Sequence, residues 1–228
     1  LSGTERKIAM EREKNILCFG DSNTWGYNPA NGCRHPRDKR WTGLLGQELG
    51  RGWRVIEEGC NGRTTVFDDP VTYGSVRNGL CFLPTCLASQ KPLDLVILML
   101  GTNDLKLRHS ATPEDISKGM ARLVRAVQAM PECGVDGHAP AILVVSPLHI
   151  GPTIDRSSFG DEFGGQSAAQ RSHRLAGYYE QVARQWGCAF MDASLVAQPS
   201  PLDALHMDEA GHAAFARAMA ARVRQLLA

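Results

Sequence analysis

No apolar run in the sequence approaches the roughly 20 residues needed to span a bilayer, so no membrane-spanning helix is expected. Residues 1–14 (LSGTERKIAMEREK) are charged throughout and lack an apolar central stretch, which argues against a secretory signal in them. Charge of one sign is also missing. Lys and Arg number 25 and Asp and Glu 24, a formal net charge of +1, so no attraction to nucleic acid or to an anionic membrane surface is expected. The seven cysteines include no C-x-x-C pair, and no His/Cys cluster has structural-zinc spacing. An odd, scattered set reads as free thiols of a reduced, cytoplasmic protein, with Cys18 and Cys188 inside apolar strands as small hydrophobes. Neither a metal nor a cofactor is expected.

What is there is a chain of 228 residues, long enough to bury a sizeable core. Strand-length apolar runs alternate with stretches of helical spacing. Asn15–Gly20, Arg54–Glu57, Leu93–Leu100, Ala141–Val145 and Cys188–Met191 read as strands, the third so nearly all apolar that it should lie centrally in a parallel sheet. Trp41–Leu49 has helical spacing. Thr112 and Pro113 open a second helix that runs to about Met130, Ser167–Trp186 reads as a third, and Asp208 caps a last one, Asp208–Leu227. The alternation predicts an α/β fold: a three-layer α/β/α sandwich around a parallel sheet of about five strands, flavodoxin-like. No Pro/Gly/Ser linker and no internal repeat divides it, so residues 15–228 are expected to form a single domain. Residues 1–14 read as an N-terminal extension, partly of cloning origin or flexible. Two long segments, Asn23–Arg40 and His149–Gln166, match no element. Loops of that length are usually functional or flexible, and both leave strand ends on the side where the first strand's polar turn lies.

That turn is Gly20-Asp21-Ser22-Asn23, and an open parallel sheet places its chemistry just beyond the carboxyl ends of its strands. By itself a Gly-Asp-Ser turn is more often an ordinary turn or helix cap. Acyl transfer, however, needs a nucleophile, a base, a group that orients the base and donors aimed at the developing oxyanion. Asp203-Ala204-Leu205-His206 supplies an imidazole with a carboxylate three residues before it, and Asp208 is a rival orienter better suited to capping the last helix. Gly101-Thr102-Asn103-Asp104 supplies an amide donor after the most apolar strand, though taken singly it reads better as a turn held by Asx hydrogen bonds. The backbone N–H groups of Ser22 and Gly62 are expected to complete a three-donor oxyanion hole. Four independent turns carrying the right groups outweigh the bland reading of each.

On these four blocks the sequence resembles the SGNH hydrolases, also called GDSL-type esterases and lipases, over about Asn15 to Ala228. The resemblance implies Ser22 as nucleophile, His206 as general base and acid, Asp203 as its orienter, and Ser22, Gly62 and Asn103 as the oxyanion hole. The first block departs from the eponymous motif in having Asn23 where Leu is usual. Arg40-Trp41-Thr42-Gly43, Val55–Gly59, Arg63-Thr64-Thr65 and Pro92–Ile97 look like the arylesterase/acyltransferase subgroup, whose donor glycine stands immediately before Arg-Thr-Thr; hence Gly62 rather than Gly59. That subgroup implies short-chain and aryl esters as substrates, water or an alcohol as acyl acceptor, and a homo-oligomer around a restricted apolar channel. Trp25 and Tyr27 match its pocket aromatics, and Phe159 and Phe163 of the second long loop are expected to wall the same pocket.

The expected function is therefore a serine esterase that works through an acyl-enzyme on Ser22. A carbohydrate or lipid deacylase on the same scaffold is the alternative within enzymes. From another class, a flavodoxin-like binding module would cradle a phosphate at Gly20–Gly26, but that turn has neither G-x-x-x-x-G-K-[ST] nor G-x-G-x-x-G. An inactive scaffold is opposed by the intact Ser/Asp/His set.

Overall fold

Five apolar segments pair as parallel strands: β1 (Lys14–Gly20), β2 (Trp53–Gly59), β3 (Leu95–Met99), β4 (Ala141–Ser146) and β5 (Ala189–Asp192). In the computed structural model, which describes residues 12–72 and 75–228, they form one sheet in the order β2-β1-β3-β4-β5. Every residue of the central β3 is buried, as a strand covered on both faces requires. The chain runs from β1 out to β2 and then returns across β1 to β3. The crevice beyond the carboxyl ends of β1 and β3 is thus the topological switch point, where sheets of this kind bind ligands.

The helices, in chain order, are α1 (Ser22–Trp25), α2 (Trp41–Leu49), α3 (Gly79–Gln90), α4 (Pro113–Gln128), α5 (Gly160–Phe163), α6 (Gln166–Ser172), α7 (Leu175–Gln185) and α8 (Glu209–Leu226). Successive strand residues serve opposite faces of the sheet. Leu17, Phe19, Val96, Leu98 and Val144 join the core shared with α3, α4 and α7. Ile16, Cys18, Leu95, Ile97, Leu143 and Val145 join the one beneath α2 and α8. The three-layer architecture and flavodoxin-like strand order expected from the sequence are both present. Helix α4 begins with a capping box, in which Thr112 accepts from the Asp115 N–H and the Asp115 carboxylate takes that of Thr112. Asp208 caps α8 through the Gly211 N–H.

The structure departs from the sequence reading in several places. Helix α3 was not expected, since Gly79 and Pro84 both disfavour helix; its Leu83 and Leu87 are wholly buried in the core, and packing overrides propensity. The single helix expected over Ser167–Trp186 is two. Ser172 Oγ donates back to the Ala169 carbonyl and accepts the Ile150 N–H, and the chain turns at His173 before laying Leu175 and Tyr179 against the sheet. Cys188 stands just before β5 and is half-buried. The expected extension gives way to folded structure sooner than residue 15: Arg12 pairs with Asp94 and Lys14 opens β1, while residues 1–11 lie outside the described residues. Among the described residues no helix is long and apolar enough to cross a membrane.

The last residues of β1 and β2 are the register partners Gly20 and Gly59. Helix α1 lies directly on them, so that a Cβ on Gly59 would stand 2.1 Å from the Trp25 nitrogen and one on Gly20 2.1 Å from Thr24 Oγ1. Gly59→Ala should lift α1 off the sheet and cost about 1–3 kcal/mol as overpacking, read as a lower urea midpoint; an unchanged midpoint would show that α1 yields freely.

Candidate active site

The first strand delivers Ser22 to the switch-point crevice at the opening of α1. Asp21 caps that short helix by accepting the Asn23 N–H at 3.0 Å. Gly26 ends it in the left-handed region (φ 92°), which turns Tyr27 back over the site. Tyr27 is tilted against the His206 ring with centroids 4.2 Å apart, and Phe159 meets the same ring edge-on at 5.8 Å.

The loop before α8 brings the other two groups. His206 Nε2 lies 2.7 Å from Ser22 Oγ and Nδ1 lies 2.6 Å from Asp203 Oδ2. The other carboxylate oxygen, Oδ1, accepts the N–H groups of Leu205 and His206, both at 3.0 Å. Burial alone would raise the Asp203 pKa, but the hydrogen bond and charge of His206, with these backbone donors, outweigh it and hold the carboxyl below its ordinary range. An ionised Asp203 favours the Nδ1–H tautomer and leaves Nε2 free to accept the serine proton.

The loop is fastened to the Ser22 turn by Asn23. Its Nδ2 donates to the Leu205 carbonyl at 3.1 Å and its Oδ1 accepts the Met207 N–H at 3.0 Å. These are the two residues that flank His206. The sequence reading marked Asn23 only as a departure from the usual Leu. The amide is buried, and among the described residues no other side chain bonds to both flanks of His206.

On the opposite side of Ser22, Gly62 (φ 78°) and Asn103 line the same cavity. Gly59 instead ends β2 beneath α1. Asn103 Nδ2 donates one hydrogen to the Arg63 carbonyl at 3.1 Å, which holds the amide in place. Arg63 is itself buried, with its guanidinium over the Phe19 ring at 4.2 Å and Nη1 donating to the Gly20 and Glu58 carbonyls. Asp104 accepts from both the N–H and the hydroxyl of Thr65, tying the loop after β2 to the turn after β3.

The cavity measures about 100 Å3. Its walls hold Ser22, His206, Gly62 and Asn103 together with Tyr27, Phe159, Phe163 and Leu205. Trp25 corrects the sequence expectation: it is not among the lining residues. Its ring carries the Arg34 guanidinium at 5.5 Å, and its carbonyl accepts from Arg34 Nε, because the last turn of α1 faces the 28–40 loop rather than the crevice. Sequence reasoning missed Lys106 and Glu162, which also line the cavity. The available signal for Lys106 was its place three residues past Asn103. Among the described residues no group of three or more His, Cys, Asp or Glu side chains is arranged to hold a metal ion.

Two carboxyls are buried behind the site. Asp21 and Asp104 are each pushed up to about 6, in both cases chiefly by desolvation, which the hydrogen bonds they accept offset only in part. A carboxyl that ionises near pH 3.9 in the unfolded chain and near 6 in the folded one leaves extra protons on the native state in between, so stability falls as pH rises through that window. Asp21→Asn keeps the capping oxygen and removes one such group. Its stability relative to wild type should rise by up to about 3 kcal/mol between pH 4 and pH 7, read from urea unfolding at both; a constant difference would mean that Asp21 ionises normally. Asn23→Leu should leave the Leu205 carbonyl and Met207 N–H buried and unpaired, at roughly 1–3 kcal/mol each. It should also lower kcat at least tenfold with little change in KM; normal turnover would show the clamp to be dispensable.

The same architecture recurs in solved structures. The aryl esterase of M. smegmatis is 42% identical, with 93% of this chain and 99% of that one covered and a TM-score of 0.85. A carbohydrate acetylesterase from Sinorhizobium meliloti is 38% identical over 93% and 99% of the two chains, with a TM-score of 0.87. A member of the lipolytic G-D-S-L family from Veillonella parvula keeps the fold at 14% identity, with a TM-score of 0.64 over 93% of this chain and 98% of that one. No curated protein sequence matches the chain. The sequence model of the GDSL-like lipase/acylhydrolase family matches residues 18–214, a span that begins inside β1, ends inside α8 and contains every group described above; the chain belongs to that family.

Proposed function

We propose that the chain is a serine esterase that hydrolyses short-chain acyl or aryl esters through an acyl-enzyme on Ser22. The observation that carries this reading is the unbroken relay from Asp203 to His206 to Ser22, at 2.6 and 2.7 Å, opening into a cavity that also holds Gly62 and Asn103. Ser22 Oγ attacks the ester carbonyl as His206 Nε2 takes its proton, and Asp203 stabilises the imidazolium. The tetrahedral oxyanion accepts from the Ser22 and Gly62 N–H groups and the remaining Asn103 hydrogen. His206 then protonates the leaving alcohol or phenol. Water, or a second alcohol, is deprotonated in turn and releases the acyl group.

The small size of the cavity beside Ser22, about 100 Å3, supports short acyl groups. Likeness to the M. smegmatis aryl esterase favours aryl and simple alkyl esters. A second reading, deacetylation of a hydroxylated compound, is favoured by likeness to the carbohydrate acetylesterase and by the polar Lys106–Glu162 pair in the cavity wall.

Ser22→Ala should reduce p-nitrophenyl acetate turnover by at least about 10^4-fold in a folded protein, and wild type should form one covalent adduct with a serine-directed phosphonate. Undiminished turnover and no adduct would overturn the mechanism. Asn103→Ala should remove about 2.7–4 kcal/mol of transition-state stabilisation, seen in kcat rather than KM. Asp203→Asn should lower kcat by roughly 10^4-fold; a loss confined to KM would remove Asp203 from the relay.

A further inference from the structure

Lys106 stands in the cavity wall with its side chain only 9% exposed. Its Nζ lies 3.1 Å from Glu162 Oε1 and 5.8 Å from the centroid of the Phe163 ring. The same carboxylate oxygen accepts from Arg108 Nη2, while Arg108 Nη1 donates to Asp69 Oδ1 at 2.8 Å. Both cations thus converge on Oε1. Among the described residues no hydrogen bond reaches Glu162 Oε2, and the ion pair of Lys106 is with Glu162.

An ammonium carries three donors, and a buried donor left unmet is costly. Here the wall offers spare N–H groups beside a spare carboxylate oxygen, in a cavity that also presents the apolar surfaces of Tyr27, Phe159, Phe163 and Leu205. The two cations and two carboxylates cancel, so the cluster presents no net charge to draw in an anion. The group that matches a donor next to an acceptor is one that both accepts and donates, a neutral hydroxyl. An apolar substituent in the same place would leave both protein groups unmet.

We propose that Lys106 and Glu162 form a hydroxyl-recognition subsite, so that the favoured substrates are small esters with a free hydroxyl close to the ester carbonyl. The inference rests on the esterase reading of Ser22. It makes the pair a specificity determinant rather than a brace that only fastens α5, which carries Glu162, to the turn after Asn103.

The test compares kcat/KM for two ester pairs that differ only in hydroxyls: 1-acetylglycerol against propyl acetate, with the hydroxyls on the alcohol side, and methyl 3-hydroxybutyrate against methyl butyrate, with the hydroxyl on the acyl side. Wild type should prefer the hydroxylated member of at least one pair. Lys106→Met should cut that preference roughly ten- to hundred-fold, as expected for a lost charge-assisted hydrogen bond. Both members of each pair slowing equally would reveal a brace and overturn the proposal. If Lys106→Met does not fold, the wild-type ratios decide, and the absence of preference in both pairs overturns it. Should Ser22→Ala hydrolyse these esters as fast as wild type, it is the esterase reading that fails. Should Ser22 be required while the ratios ignore Lys106, only the subsite fails.

Discussion

Ser22 and His206 are 184 positions apart in the chain, and the buried amide of Asn23 is what fastens their two loops together. The sheet brings the loops near one another but does not set the separation of two side chains to within a few tenths of an ångström. Asn23 spends its donor on one flank of His206 and its acceptor on the other, so the imidazole cannot slide along the serine without breaking a buried bond. The loop it grips is also braced from behind. Ala204 takes up a left-handed conformation (φ 63°), with its N–H on the Ser200 carbonyl and its own carbonyl on the Gly151 N–H. Strain of this kind persists only where surrounding bonds over-determine it.

The opposite side of the crevice is organised by the same means. Arg63 spans the ends of β1 and β2 and holds Asn103 through its carbonyl, and Asp104 holds Thr65. Both arrangements put charge where water cannot reach it. Two carboxyls that ionise reluctantly, Asp21 and Asp104, sit behind Ser22 and the turn after β3, positions an apolar core would fill at lower cost. What they give in return is directional: each points backbone N–H groups where the chain would not otherwise hold them.

Much of this was legible in the sequence, and the reasons differ from element to element. The strands showed because a parallel sheet covered on both faces needs unbroken apolar runs, as Leu95–Met99 illustrates. Helix α4 showed because Thr112, Pro113 and Asp115 write its start in local chemistry. Helix α3 was hidden, since Gly79 and Pro84 argue locally against a helix that only the core contacts of Leu83 and Leu87 sustain. Trp25 was misplaced because an aromatic two residues from Tyr27 looks equivalent on paper, whereas the last turn of α1 sends the two rings to different sides. Lys106 and Glu162 escaped notice because charged residues 56 positions apart carry no signal of meeting until the fold joins them in one wall.

By itself, then, the sequence determined the fold class and the chemical kinds of side chain available at the carboxyl end of the sheet. Apolar periodicity and turn composition are local properties of the chain, and Ser, His, Asp and Asn side chains carry their chemistry wherever they are placed. Only the tertiary structure decided which of several polar groups meet, how far apart they stand, and which way a buried amide or ammonium points. Those are non-local quantities, fixed by strand register, by the close approach of α1 to Gly20 and Gly59, and by the hydrogen bonds that buried groups must find once water has been excluded.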